Sequence, residues 1–575
     1  MVRIRKVEIH NFRSIRSLSW APSAGINCLI GPGDSGKSTI LDAIDYCLGA
    51  RRNLNISDTD FFNLDVTQDI VIRLTLGSLP DSLKNLEYYG PYLRGFDLST
   101  GKVEDEPRRT LETALTVQLT VKSDLEPVWS LYSDRTTGED PARALRWTDR
   151  VALAPARLGQ HSNANLSWTK GSVLNRLSDE RADVGLELVQ AARDARTGFG
   201  ARAAPQLANT LKTVTDTARS LGVPVGTAAT ALLDAHAVSF GEGAISLHDE
   251  TGIPLRNLGT GSSRLLIAGL HRAAAALATV ILVDEIEYGL EPHRLTRLLN
   301  SLGSKEAPPP LQAFITTHSP VTLRELAGSQ LFVLRSEGGA HQARLVGTDD
   351  DVQGAIRLYP EAFLARTVIV CEGASEIGLI RGLDDFWVQN ASPSLQSFGV
   401  SYVDAGGGDA DRCFQKAKAF LKLGYRVAAV QDNDKTPTVA VVEEFKASGG
   451  FHVAWRDGKA LEDELFTCLP DDAIDALIER ALELTEDGKV DQHIKTRSNG
   501  ELDLETVKLE GDLLGYMSEA RKILGEASRI RKAGWFKSIS KMEGVARDIV
   551  GPYYTRADAG FTKQLDDLFK WACYA

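Results

Sequence analysis

The stretch GPGDSGKST, Gly31 to Thr39, limits what this chain can fold into more than any other. It satisfies GxxxxGK[ST], and its surroundings give the match meaning. An apolar run, INCLIG, leads into it, and a helical pattern from Lys37 to Leu48 leads out. Gly31, Gly33 and Gly36 let the backbone curl so that its N–H groups face an anion. Lys37 then reaches the β- and γ-phosphates of ATP, Ser38 ligates Mg2+, and Thr39 closes the motif. The following helix turns its positive end toward the phosphates.

Two later stretches extend this chemistry. ATVILVDEIE reads as a buried strand ending in Asp284 and Glu285. Such a pair serves a P-loop: Asp284 to hold Mg2+ and Glu285 to orient and deprotonate the attacking water. AFITTHSP is another buried strand, ending in His318, whose place after the first two motifs suggests a γ-phosphate sensor. Ahead of both, NLGTGSSRLLIAGL reads as a Gly/Ser turn, with Gly259, Gly261 and Ser262, feeding an apolar helix. Strand patterns at QDIVIRLTL, ALTVQLTVK and VWSLY predict an antiparallel portion. Asp81 to Thr110, rich in Gly, Pro and charge, reads as a surface excursion. From Lys170 to about Phe240 the chain is Ala- and Leu-rich at helical spacing, a helical insertion suited to dimerisation.

These pieces resemble the ABC-type ATPase heads of SMC-like and RecF-like repair proteins. In that family the signature turn, here Gly259 to Ser263, completes a nucleotide site on a partner head. With one P-loop and one such turn, the resemblance implies a homodimer or higher homo-oligomer. The roughly 220 residues between the two motifs carry no sustained heptads, which excludes a long coiled-coil arm.

At 575 residues, two to four domains are expected. The six cysteines are scattered with no CxxC pair, against a zinc ribbon or a disulfide framework. MVRIRKVEIHNF reads as a strand and not a signal peptide, and no run approaches the ~18 apolar residues of a membrane span. A reducing cytoplasm is the expected location. A net charge of −12 disfavours nucleic acid as a whole-surface partner, but Arg521 to Lys541 holds seven Lys or Arg against Glu526. That stretch reads equally as a solvated helix face.

In the second half, TVIVCEGASE is a short strand ending in Glu372, then a helix carrying Glu376. RVAAVQDND repeats the design with Asp432 and Asp434, and ALEDELF follows with Glu462 and its neighbours Asp463 and Glu464. Strands and helices alternate throughout, which predicts a parallel sheet with ligands at its C-terminal edge. Carboxylates clustered there suit Mg2+ or Mn2+. The run Gly406 to Gly408 permits close backbone approach.

EGxSE followed by DxD resembles a Toprim domain. An ABC-type head followed by Toprim, across essentially the whole chain, resembles the OLD (overcoming lysogenisation defect) family of ATP-dependent nucleases, which includes the nuclease subunit of Gabija antiphage systems. The resemblance implies an α/β chain with an ATPase domain at 1–169 and 241–350, the helical insertion at 170–240, and a Toprim nuclease domain with a C-terminal helical extension at 360–575. It assigns Glu372, Glu376, Asp432, Asp434 and Glu462 as metal ligands. Lys537 in GWFKSI matches the family's late catalytic lysine, and DNA is the implied substrate. A separately encoded helicase is a further partner class. Departures from the pattern are Gly33 and Asp34 in the P-loop, and Ile286 and Glu291 in IEYGLEP, which leave nucleotide binding intact but bear on hydrolysis. Two other readings compete. One is a non-catalytic DNA-binding ATPase with an interaction module; the other, a topoisomerase or primase, wants a zinc ribbon or a strand-passage body.

Overall fold

The computed structural model describes residues 2–136, 143–158, 166, 174, 184–221, 223–231, 246–273, 280–348, 350–530 and 533–573. The first half is built on one thirteen-stranded sheet. Its antiparallel wing comprises β1 (Arg3–Phe12), β2 (Ile15–Trp20), β4 (Ile70–Gly77), β5 (Leu93–Phe96), β6 (Val103–Glu104), β7 (Glu112–Val121) and β8 (Pro127–Tyr132). Its parallel wing is β12 (Leu331–Glu337), β3 (Ile26–Ile30), β11 (Gln312–Thr316), β10 (Val280–Val283) and β9 (Ala156–Leu158), in that order. The strand β13 (Ala340–Leu345) closes a hairpin on β12 and runs parallel to β2, joining the wings. Every residue of β3, β10 and β11 is buried, which explains why those stretches read as continuous apolar runs without alternation.

The second half carries a four-stranded, all-parallel sheet in the order β15 (Val400–Asp404), β14 (Thr367–Cys371), β16 (Arg426–Gln431), β17 (Phe451–Ala454). Helices Ala374–Gln389, Ala410–Lys422 and Val439–Ala447 make the crossovers, and helices from Leu461 onward pack around them. The two sheets share an apolar core: Ile315, Leu331 and Val346 belong to the same buried cluster as Phe363, Val370 and Phe414. A second core joins Ile369 and Ile380 to Trp535, Met542 and Leu565.

The stretch from Asp81 to Thr110 is not a mere surface excursion. Tyr89 and Tyr92 are buried, and β5 pairs with β7 within the sheet. The aromatic run YYGPYLRGF supplies that burial; its one charged residue, the buried Arg94, pairs with Asp105 and Asp134, and the other charged residues lie on either side. The insertion supplies helices Val184–Ala203 and Ala208–Ser220; most of its remainder lies outside the described residues. Among the described residues no helix is long and apolar enough to cross a membrane.

Candidate functional site

The nucleotide site sits at the C-terminal ends of β3, β10 and β11. Gly31 and Gly36 take φ values of 140° and 87°, the left-handed region that a Cβ disfavours. Both are also crowded: a Cβ on Gly31 would lie 2.8 Å from the Leu334 carbonyl, and one on Gly36 would lie 3.0 Å from His341 Nε2. Gly33 has open space around it. The buried Lys37 ammonium donates to the Gly31 and Pro32 carbonyls (3.1 and 2.7 Å) and to Ser35 Oγ (3.2 Å). Burial lowers its pKa to about 8, opposed by the charges of Asp34 and Asp284. A polyphosphate is the natural relief for an ammonium held among backbone carbonyls.

Ser38 Oγ donates to Asp284 Oδ1 at 2.9 Å, and Thr316 Oγ1 donates to the same oxygen at 2.6 Å. Thus the two groups expected at Mg2+ already touch. Thr39 Oγ1 lies 3.4 Å from Ser14 Oγ. Glu285 is exposed and has φ 45°, a left-handed backbone for a non-glycine residue, with its N–H bonded to Thr316 Oγ1 at 2.8 Å. His318 is exposed at the end of β11; burial and then the Lys37 charge lower its pKa. Gly261 and Ser262 prove to lie in the first turn of helix Thr260–Ala273, not in a preceding turn, with Gly259 just before it. A Cβ on Gly261 would lie 2.5 Å from the Gly289 carbonyl, so glycine permits the close approach of this helix to the loop after β10.

Four side chains here escaped the motif reading. Arg264, buried, donates to the Asp284, Glu285 and Tyr288 carbonyls and holds the acidic loop in place. Glu287 accepts from Thr317 Oγ1 and the His318 N–H, both at 2.7 Å. Arg157 on β9 pairs with Asp42 at 2.6 Å and approaches Asp284 at 3.9 Å. Ser35 shares Lys37. Of these, only Glu287 carried a signal, as the third acid of DEIE.

The second site lies at the C-terminal edge of the four-stranded sheet. Glu372 follows β14, and its Oε2 accepts the Asp432 N–H at 3.2 Å. Glu376, at the third position of helix Ala374–Gln389, accepts the Gly373 N–H at 2.8 Å and so also caps its own helix. Asp432 follows β16 and accepts the Leu461 N–H at 2.9 Å. Glu462 accepts weakly from Ser375 Oγ at 3.4 Å. Glu372, Glu376 and Glu462 are buried and Asp432 is half-buried, and among the described residues no ion pair reaches any of the four. Burial, then the charge of Glu462, raises Glu376 to about 7. Burial, then Glu376, Glu462 and Glu372, pushes Asp432 well up. Burial also raises Glu372, with Asp434 adding to it, and Glu462, where Lys537 opposes it.

The remaining acids are committed elsewhere. Asp434 pairs with Arg529 at 3.0 Å, and Arg529 also holds Asp463 at 3.1 Å. Asp463 caps helix Leu461–Cys468 through the Ala460 N–H, and Glu464 pairs with Arg456 at 2.9 Å. Of the three adjacent acids, Glu462 alone faces the cluster. Lys537 is exposed at the end of a segment anchored by the buried Trp535 and Phe536, and its charge is felt by Glu372 and Glu462. Trp535 Nε1 donates to His493 Nδ1 at 3.0 Å, fixing that anchor. Carboxylates with no cation of their own suit a hard divalent ion in donor chemistry. They are not drawn into a cage: among the described residues no three His, Cys, Asp or Glu converge as metal ligands.

The basic stretch is also partly structural. Arg521 donates to the Phe466 and Leu469 carbonyls, neutralising the C-terminal end of helix Leu461–Cys468. Arg531 and Lys532 lie outside the described residues.

The P-loop, the acidic strand and the helix opening at Thr260 together define an ATP-binding ATPase domain on a mixed α/β sheet. The chain belongs to the AAA_21 family, described as "AAA domain, putative AbiEii toxin, Type IV TA system", which matches residues 26–324. It is similar to the DNA replication and repair protein RecF of Chlorobium phaeovibrioides, 28% identical over 113 residues, 18% of this chain and 30% of that protein. It is 45% identical over 49 residues to the chromosome partition protein Smc of Methanocaldococcus jannaschii, 8% of this chain and 4% of that one. The chain thus spans less than a third of the length of each of these two relatives. Among solved structures, the SMC head domain from Thermotoga maritima aligns with 60% of this chain and 100% of its own at 14% identity and a TM-score of 0.29. The recombination mediator protein RecF aligns with 60% of this chain and 98% of its own at 10% identity and a TM-score of 0.31.

Proposed function

We propose that this protein is an ATP-regulated, metal-dependent DNA endonuclease acting as a homo-oligomer, in antiphage defence or DNA repair. The observation that carries this reading is the group Glu372, Glu376, Asp432 and Glu462, four carboxylates gathered at one sheet edge without an ion-pair partner among the described residues. So costly a grouping has a use where divalent cations and a phosphodiester enter together. Two Mg2+ ions held by such acids supply water activation and neutralisation of the leaving oxygen when bound. The chain's own contribution is to hold the acids on strand ends and in the first turns of helices, and to present Lys537, whose ammonium would offset charge on the phosphorane. The nucleotide site, with Lys37, Ser38, Asp284 and Glu285, acts as the regulator.

A second reading is a DNA-binding ATPase whose second half is an interaction module. It draws support from the lack of a preformed cage and from the neutralisation of Asp434 by Arg529. Supercoiled plasmid incubated with the protein and Mg2+ or Mn2+, with and without ATP, separates the two. Nicking or linearisation is expected, lost by at least ~100-fold in Glu376→Ala and Lys537→Ala while ATP binding persists. Plasmid left intact by the unmodified protein under all these conditions would leave only the second reading standing.

A further inference from the structure

Beside the acid cluster lies a cavity of about 600 Å3 lined by Asp457, Lys459, Tyr516, Lys522, Glu526 and Arg529, among others. Its floor is continuous with the DxD segment. The Asn433 N–H donates to the Lys459 carbonyl at 2.9 Å, the Gly458 N–H donates to the Asn433 carbonyl at 2.9 Å, and Asn433 Nδ2 donates to Asp457 Oδ1 at 2.9 Å. Arg529 lines the cavity and bonds Asp434, two residues beyond Asp432, and Asp463, the neighbour of Glu462. The cavity therefore borders the loop after β17 that is bonded to Asn433, with Arg529 between it and Asp434.

Four cations line it: Lys459, Arg521, Lys522 and Arg529. Arg521 is spent on carbonyls and Asp471. The Lys459 ammonium donates to a neutral hydroxyl, Thr467 Oγ1. The Lys522 side chain is 64% exposed and has Glu519 only at 3.9 Å. Asp457, Asp463 and Glu526 also line the cavity, with Asp463 taken by Arg529. Among the described residues, though, Lys459 has no ion pair and Lys522 only the loose one to Glu519, so in a chain of net charge −12 the two lysines form a local cationic wall. The volume falls in the range of ligand pockets, ~300–1,000 Å3, large enough for a nucleotide unit.

We infer that this cavity receives the phosphate and sugar of the nucleic-acid strand next to the bond presented to the acid cluster, with Lys459 and Lys522 as its phosphate contacts. The inference rests on the nuclease reading and names where that substrate's backbone runs. Arg529 then positions: it keeps Asp434 and Asp463 from repelling the approaching phosphate.

The test uses the full chain with a fluorescein-labelled DNA duplex, read by anisotropy in EDTA across a salt series. Lys459→Glu and Lys522→Glu should each weaken binding about tenfold, and the slope of log K against log[salt] should fall by about 0.9 per lost contact. Binding of a labelled ATP analogue should stay unchanged in both and vanish in Lys37→Ala, which separates strand binding from free-nucleotide binding. Duplex affinity and salt slope equal to those of the unmodified protein in both variants would overturn the inference, as would loss of ATP-analogue binding in Lys459→Glu or Lys522→Glu. Duplex binding that responds to both lysines in a protein that never cleaves plasmid would retire the nuclease reading and leave the cavity's role intact.

Discussion

At the residue scale the two sites are opposite cases of burial acting on charge. Glu376 has its pKa raised to about 7 from 4.5, so its charged form is disfavoured in the folded protein. Its contribution to stability is complete below pH 4.5 and is lost as pH rises from 4.5 through 7. A divalent cation should restore it. Thermal melts with and without Mg2+ should differ little at pH 5 and by several degrees at pH 8; a difference independent of pH would contradict this account. Lys37 is lowered to about 8 from 10.5, again because the charged form is disfavoured. Its folded-state cost is largest below pH 8 and fades as pH rises toward 10.5. ATP phosphates should recharge it. Calorimetry in buffers of different ionisation enthalpy should therefore show proton uptake on ATP binding near pH 8–9, with affinity falling at higher pH by up to about tenfold per unit.

Much of this was legible in the residues themselves. Glycine spacing and the acid at a strand end are local patterns, whereas Lys537 is singled out only through the family resemblance. What stayed illegible was direction. Nothing in LEDEL tells which acid faces inward; the helix start at Leu461 decides it, by giving Asp463 the cap and Glu464 to Arg456. Nor could DND reveal that Asp434 would meet Arg529 from 95 residues away.

At the element scale, the helix bearing Glu376 and the helix after Lys537 are pressed together by glycines one turn apart. A Cβ on Gly378 would lie 2.6 Å from the Ile539 carbonyl, and one on Gly382 would lie 2.2 Å from that of Glu543. This contact holds the helix that follows Lys537 against the helix that carries Glu376. Gly382→Ala should cost about 1–3 kcal/mol in urea unfolding and, on the proposed nuclease reading, reduce cleavage more than ATP binding. Gly544→Ala, on the opposing helix Ile539–Val545 with nothing within 4 Å of its added carbon, should be neutral or stabilising. Equal behaviour of the two variants would show that the close crossing does not matter. The strand order was less legible than the strands. The insertion of β12 and β13 between β2 and β3 is a crossover, and short apolar runs do not encode their neighbours.

At the scale of the whole molecule, the hairpin of β12 and β13 touches both halves. Leu334 and His341 press on the P-loop glycines. Arg335 lies 3.7 Å over the Tyr425 ring and donates to the Ala365 carbonyl at 3.0 Å, and Arg344 donates to the Lys422 carbonyl at 3.1 Å. With the apolar core also shared, a fragment ending at residue 350 should open buried surface. Low soluble yield and strong ANS fluorescence relative to the full chain are expected. A monodisperse fragment melting with the full chain's transition would show the halves to be independent.

The hairpin also sets the unit of inheritance for any chimera. An ATPase half grafted onto a foreign effector would have to bring a matching Tyr425, Phe363 and Lys422 backbone with it, or lose the seat for Arg335 and Arg344. The seam for recombination therefore does not fall at the linker after β13. It falls within the second sheet, between residues that pack on the hairpin and residues that hold the acids.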